Sequence, residues 1–289
     1  MRALVLSGGG AKGAYQAGAL YNLLGERSIH YDIITGTSVG ALNGAFISMF
    51  GIGSELDAAE GLKDLWFGID DSKIYRKWCF GLLGKLPLLW KHSVYCTAPL
   101  QKLVRSRLKP GAIRTSGKKL CIGAVSLNTG ERRVWTEQDD DIATGVLASS
   151  SFPGMFEPIE SDGELFTDDG VRETTPVANA IEAGATRIDV IQDFPVGVTG
   201  GFASRPTTLR VVERVLAAMS AEIVVGDLKV AELYNAIIRA NVEVPGKRVV
   251  ELNMLRPAEV LLENSLDFDP GLIRTNFAKG YNDAKALSW

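Results

Sequence analysis

Two glycine-rich turns, each set between a short apolar run and a helix-like run, constrain this chain more than any other feature of its sequence. The first is Gly8-Gly9-Gly10-Ala11-Lys12-Gly13. It follows Ala3-Leu4-Val5-Leu6 and precedes a helical spacing of Tyr15, Ala19, Leu20, Leu23 and Leu24. The second is Gly36-Thr37-Ser38-Val39-Gly40, after Asp32-Ile33-Ile34-Thr35 and before a helix from Val39 to Met49. Strand followed by helix, twice, predicts a parallel sheet with crossover helices. Gly40, Ala41, Gly44 and Ala45 on one side of the second helix let it lie close to that sheet.

The rest of the chain reads in the same way. A helix is expected over 51–67 and a strand over 120–125, with 132–135 as its hairpin partner across Asn128-Thr129-Gly130. A short helix over 141–149 and a strand over 163–167 lead into the acidic turn Asp168-Asp169-Gly170. Then come a helix over 178–183, a strand over 187–191, and a helical stretch over 208–240 with Gly226 as a candidate break. A strand over 248–252 and a helix over 272–286 close the chain. Residues 68–97 resist assignment. The Pro/Gly-rich stretch from Pro195 to Pro206 is read as a surface loop within a single domain spanning 1–289.

The length of 289 residues suffices to bury a substantial core, and the formal net charge of -3 gives no global basic field, so nucleic acid is not an expected partner. The three cysteines, Cys79, Cys96 and Cys121, have no metal-type or CxxC spacing. No secretory leader and no run of roughly 18 apolar residues is read. Cytoplasmic residence is the expectation.

The chemistry lies in the turns. Gly36-x-Ser38-x-Gly40 between strand and helix is the pattern of a nucleophile elbow, which holds a serine hydroxyl on a strained, closely packed turn. Taken alone, the same serine is also an ordinary helix N-cap. Gly8-x-Gly10-x-x-Gly13 fits an anion hole of backbone N–H groups, and it also fits a dinucleotide fingerprint, with Asp32 as the ribose acid. Asp32, however, stands at the start of the second strand, whereas the ribose acid belongs at its end. A serine needs a base, and there are two histidines. His30 sits at the strand end opposite the elbow, and His92 lies in the unassigned region. A carboxylate within hydrogen-bond reach can serve instead, which brings in Asp168 or Asp169.

Gly-Gly-Gly-x-Lys-Gly at 8–13, Gly-Thr-Ser-x-Gly at 36–40 and the distant acidic turn resemble the patatin-like phospholipase family. Ala148-Ser149-Ser150-Ser151-Phe152-Pro153-Gly154-Met155-Phe156-Glu157-Pro158 is similar to another of that family's segments, as is Asp168-x-Gly170-Val171 with Pro176 following. The resemblance covers about 1–192, and 193–289 is left as a helical completion. It implies a three-layer α/β/α sandwich with a mostly parallel sheet and a cofactor-free, metal-free serine–aspartate dyad that hydrolyses lipid carboxylic esters. In that dyad Ser38 is the nucleophile, between Gly36 and Gly40 of the elbow, and Asp168 is the base. Gly8, Gly9, Gly10 and Lys12 form the oxyanion hole. One departure stands out: Asp169 occupies a position where the family has glycine, and in the alternative register Asp169 would itself be the base. A catalytically impaired lipid-binding or regulatory homologue and a dinucleotide-binding oxidoreductase are the rival functions. The Leu/Trp-rich stretch from Trp78 to Trp90 is a candidate peripheral contact with membrane or lipid aggregates.

Overall fold

A computed structural model describes residues 1–78, 93–195, 208–240, 249–262 and 264–289. Its elements, in chain order, are β1 (Arg2–Leu6), α1 (Gly13–Leu20), β2 (Ile33–Gly36), α2 (Val39–Ile47), α3 (Glu55–Phe67), α4 (Asp71–Ile74), β3 (Arg76–Lys77), β4 (Tyr95–Cys96), α5 (Ala98–Arg107) and α6 (Pro110–Thr115). There follow β5 (Lys119–Ser126), β6 (Arg132–Thr136), α7 (Ile142–Ser149), β7 (Ile159–Ser161), β8 (Glu164–Asp168), α8 (Val177–Glu182), β9 (Arg187–Ile191), α9 (Thr208–Arg239), β10 (Glu251–Leu255) and α10 (Pro270–Lys285).

The main sheet has the order β10-β9-β1-β2-β5-β8-β7, with β6 also paired to β5. The pairings from β10 through β5 are parallel; β6, β7 and β8 join antiparallel. This is a mixed, mostly parallel sheet flanked by helices; the turn pattern predicts its parallel part, and the family resemblance the mostly parallel whole. Both faces are covered, because successive strand residues point to opposite sides. Leu4, Leu6 and Ile34 enter the large core that holds α1, α2 and α3. Ala3, Val5 and Ile33 enter a smaller one with Val177 and Ala180 of α8.

Several expectations need correction. α1 ends at Leu20 and widens into a π-helical turn over Tyr21–Glu26. Residues 51–54 precede α3 and are not helical. α9 runs unbroken through Gly226. The last strand begins at Glu251, later than the apolar residues suggest, because the Asn235 side chain takes both backbone groups of Val250, at 2.7 and 2.8 Å. The final ninety-odd residues are not helical alone: β10 extends the sheet beside β9, and α10 packs along α1, where Tyr15 Oη donates to Asp283 at 2.9 Å. Residues 196–206 of the Pro195–Pro206 loop, His92 and most of the Trp78–Trp90 stretch lie outside the described residues. Trp78 itself donates its indole N–H to the Ser93 carbonyl at 3.2 Å.

Candidate active site

The site is organised by β5. β6 occupies one edge of this strand over residues 121–125, so β2 and β8 must share the other. β2 runs alongside it up to the pair Gly36–Ile122, and β8 arrives from the opposite direction, ending at the pair Asp168–Ala124. The turn that follows β2 and the acidic turn that follows β8 therefore meet about two strand residues apart, roughly 7 Å along β5.

The turn after β2 is a sharp elbow. Ser38 has φ 56° and ψ −123°, a conformation that costs about 1–3 kcal/mol for a residue with a side chain. Close packing holds it there. A Cβ on Gly36 would lie 2.3 Å from the Gly40 carbonyl oxygen, and one on Gly40 would lie 2.3 Å from that of Leu6. The three serines at the end of α7 complete the hold. Ser149 Oγ accepts the Ser38 N–H at 3.1 Å, Ser150 Oγ donates to the Ser38 carbonyl at 3.2 Å, and the Ser151 carbonyl accepts the Asp168 N–H at 3.0 Å. Although Ser38 precedes α2, its hydroxyl makes no capping bond. It is half-buried and directed at Asp168.

Asp168 is buried, and burial pushes its pKa up to about 7. The Ser38 hydroxyl and the Gly170 N–H, the latter 2.7 Å from Oδ1, favour the charged form, while the charge on Asp169 opposes it. Oδ2 is buried with no hydrogen-bond partner among the described residues. Asp169 turns the other way. Its carboxylate meets Arg132 of β6, with Nε at 2.7 Å and Nη2 at 2.6 Å from Oδ2.

The first glycine turn approaches the same point from β1. The Gly8 N–H donates to the Thr174 carbonyl at 3.0 Å, and the glycine lies against Ser38, where a Cβ would come within 3.0 Å of the serine's own. The N–H groups of Gly9 and Gly10 have no acceptor among the described residues. Beneath the loop lies a second buried aspartate, Asp193, which the sequence reading did not single out. Burial raises its pKa to about 7 against the lowering effects of Lys12 and of the Ser7 hydroxyl, which donates to it at 3.3 Å. Lys12 makes no ion pair among the described residues, so its charge serves to offset that carboxylate. A Cβ on Gly9 would fall 1.9 Å from Asp193 Oδ2, and one on Gly10, at φ 62°, would fall 2.2 Å from the Ser265 carbonyl oxygen. Gly9→Ala and Gly10→Ala are accordingly expected to cut turnover by about 10²–10³-fold. Gly10→Ala should also lower the melting temperature, because the backbone at 265 must yield. Full activity in both variants would remove the loop from the reaction.

An apolar cavity of about 90 Å³ opens beside Ser38. Leu42 and Phe46 of α2, Trp66 of α3, Leu100 and Val104 of α5, and Phe268 line it. α5, together with Ile74 of α4, supplies part of this wall, and sequence periodicity did not reveal either helix. The remaining candidates are elsewhere. Asp32 accepts the Arg2 N–H at 2.8 Å at the far end of the strands from the glycine loop, and His30 is exposed at that same end.

The family model for patatin-like phospholipases matches residues 4–181, well over half of the chain, and takes in both glycine turns and the acidic turn. The chain belongs to the patatin-like phospholipase family. Among its relatives is an uncharacterized protein, YqhO of Bacillus subtilis (strain 168), 28% identical over 219 residues, which are 70% of this chain and 68% of that protein. Another is the lysophospholipase nte1 of Aspergillus terreus, 27% identical over 201 residues, which are 67% of this chain but only 12% of the fungal protein. Of solved structures, VipD from Legionella pneumophila matches with a TM-score of 0.48 and 14% identity, over 98% of this chain and 66% of that one. As a patatin-like protein, the chain sits among enzymes that are typically serine lipid hydrolases acting on lipid esters. No helix among the described residues is long and apolar enough to cross a membrane.

Proposed function

We propose that this patatin-like protein is a lipid acyl hydrolase that cleaves carboxylic esters, of the phospholipase A, lysophospholipase or carboxylesterase type, through Ser38 and Asp168. The observation that carries the reading is the Ser38 hydroxyl on its strained elbow, facing a buried carboxylate at the wall of an apolar cavity. The acyl chain of the substrate lies in that cavity, and its carbonyl carbon rests over Ser38. Asp168 takes the Ser38 proton as Oγ attacks that carbon. The Gly9 and Gly10 N–H groups, which have no acceptor among the described residues, receive the oxyanion. On collapse the alcohol leaves with the proton from Asp168, and an acyl-serine remains. Water then attacks the acyl-serine, giving its proton to Asp168, and the free acid departs as Ser38 Oγ recovers a proton. The Arg132 ion pair takes up Asp169, which leaves Asp168 as the base. β10 and α10 complete the same domain, so residues 1–289 act as one unit.

The test is covalent labelling with a fluorophosphonate, which requires an activated serine and assumes no substrate. Label is expected on Ser38 and is mapped by peptide mass spectrometry. An unlabelled protein, or label on another serine, would overturn the proposal.

A further inference from the structure

The geometry points to Arg132, on the hairpin strand β6, as a positioning residue that clamps the acidic turn and so fixes both the base and the oxyanion loop; this rests on the Ser38–Asp168 reading. The clamp has three contacts. Arg132 meets Asp169 Oδ2 through Nε and Nη2, at 2.7 and 2.6 Å, and through Nη1 it meets Glu173 Oε2 at 2.9 Å and Asn179 Oδ1 at 2.8 Å. Asp169 and Glu173 are both buried, and they stand at the two ends of the turn that follows Asp168. One guanidinium therefore braces the whole turn from behind, with the planar fork that suits two carboxylates at once.

The turn is also the joint of the site. The Glu173 carbonyl accepts the Thr37 hydroxyl at 2.8 Å, which ties it to the elbow. The Thr174 carbonyl accepts the Gly8 N–H at 3.0 Å, which ties it to the glycine loop. A shift at 169–174 is thus transmitted to the nucleophile, the base and the oxyanion donors together. The ion pair reaches the turn by crossing β5, since Arg132 and Asp169 lie on opposite edges of that strand. It crosses at Gly123, where a Cβ would stand 2.0 Å from Asp169 Oδ2 and 2.4 Å from Arg132 Nη2. Glycine at 123, arginine at 132 and aspartate at 169 are one arrangement, and it accounts for the acidic residue where the family has glycine.

The charges have a readable sign. Asp169 raises the pKa of its neighbour Asp168; burial raises the pKa of Asp169 itself, and Arg132 with Arg172 oppose that rise. Glu173 adds a second carboxylate on the same side, Asn179 of α8 is uncharged, and α9 packs against the turn at 169–171. Removing the guanidinium leaves net negative charge behind the base. Removing the Asp169 charge leaves net positive charge there.

The experiment compares Arg132→Met, Asp169→Asn and the wild type on a short soluble ester, across pH, with fluorophosphonate labelling rates in parallel. Arg132→Met is expected to lower kcat about 10- to 100-fold with KM little changed, as a small misplacement of reacting groups does. Its acid limb of kcat/KM should move up by about one pH unit, and that of Asp169→Asn should move down. Opposite shifts are the signature, because a merely structural loss moves neither limb. Limbs that stay in place, or move the same way, overturn the clamp. If Arg132→Met does not fold, Arg132→Lys decides: it keeps the charge without the fork that joins Asp169 to Glu173, so a lowered kcat with the acid limb in place supports the clamp and wild-type kcat overturns it. A wild type that fails to label sinks the dyad reading itself. A wild type that labels while Arg132→Met labels equally fast sinks only the clamp.

Discussion

Replacing Ser38 with alanine is expected to abolish fluorophosphonate labelling and to lower ester turnover by on the order of 10⁴-fold or more. The reason is positional. Ser38 alone among the residues of the elbow presents a hydroxyl to a buried carboxylate, and the hydroxyl of the nearby Ser150 is engaged with the Val146 and Ser38 carbonyls. The fold should survive intact. Alanine has the same Cβ as serine, the bonds from Ser149 and Ser150 go to the Ser38 backbone, and the hydroxyl caps nothing in α2. The melting temperature is therefore expected to stay within a few degrees of the wild type while activity disappears. Turnover retained within tenfold would place the chemistry elsewhere.

The second large effect is expected at Asp168. Asp168→Asn should lower turnover roughly 10³- to 10⁴-fold, because asparagine cannot accept the serine proton, whereas Asp169→Asn should cost no more than about tenfold. In the wild type kcat/KM should rise with pH through about 7, where the buried carboxyl ionises. The same variant should gain stability. The folded-state pKa of Asp168 is raised above the ordinary carboxylate value, so its contribution to stability is present in full below about pH 4. That contribution is lost as pH climbs through about 7. Asparagine has no such loss, and its amide oxygen can still accept the Gly170 N–H. Relative to the wild type, Asp168→Asn is expected to be more stable at pH 8 than at pH 5, by an amount on the order of a few kcal/mol. Denaturation at the two pH values measures it. A gap that does not widen with pH would mean that Asp168 ionises freely and is not desolvated. The reverse ranking of the two variants in turnover would make Asp169 the base.

The strand–turn–helix units at 3–24 and 32–49 were legible in the residues themselves, because an apolar run, a glycine turn and a helical spacing are all local signals. So was the placement of Ser38 on a turn tight enough to exclude side chains at Gly36 and Gly40. The hairpin of β5 and β6 followed from Asn128-Thr129-Gly130 in the same way. Other features had no local signal. α5 and α4, which wall the cavity, carry a mixed pattern because one side of them faces an opening. β10 begins where the Asn235 side chain releases the backbone, an interaction fixed only when α9 docks. Asp193, 186 residues from Ser7, is an ordinary aspartate in the sequence and becomes notable only when β9 is laid beside β1.

The two aspartates of the acidic turn show the division most clearly. Residue types alone left the base between Asp168 and Asp169, and only the family resemblance, through the spacing to Gly170 and Pro176, favoured Asp168. The tertiary structure separates them through β5. β2 and β8 share one edge of that strand, which carries Asp168 to the end of the elbow, and β6 on the other edge brings Arg132 across Gly123 to Asp169. The sequence by itself determined that two glycine turns, one of them carrying Ser38, would stand at one end of parallel strands. Which carboxylate faces that serine, and which is neutralised behind it, was decided by strand pairing across nearly the whole chain, because only pairing sets which side of the sheet each side chain occupies.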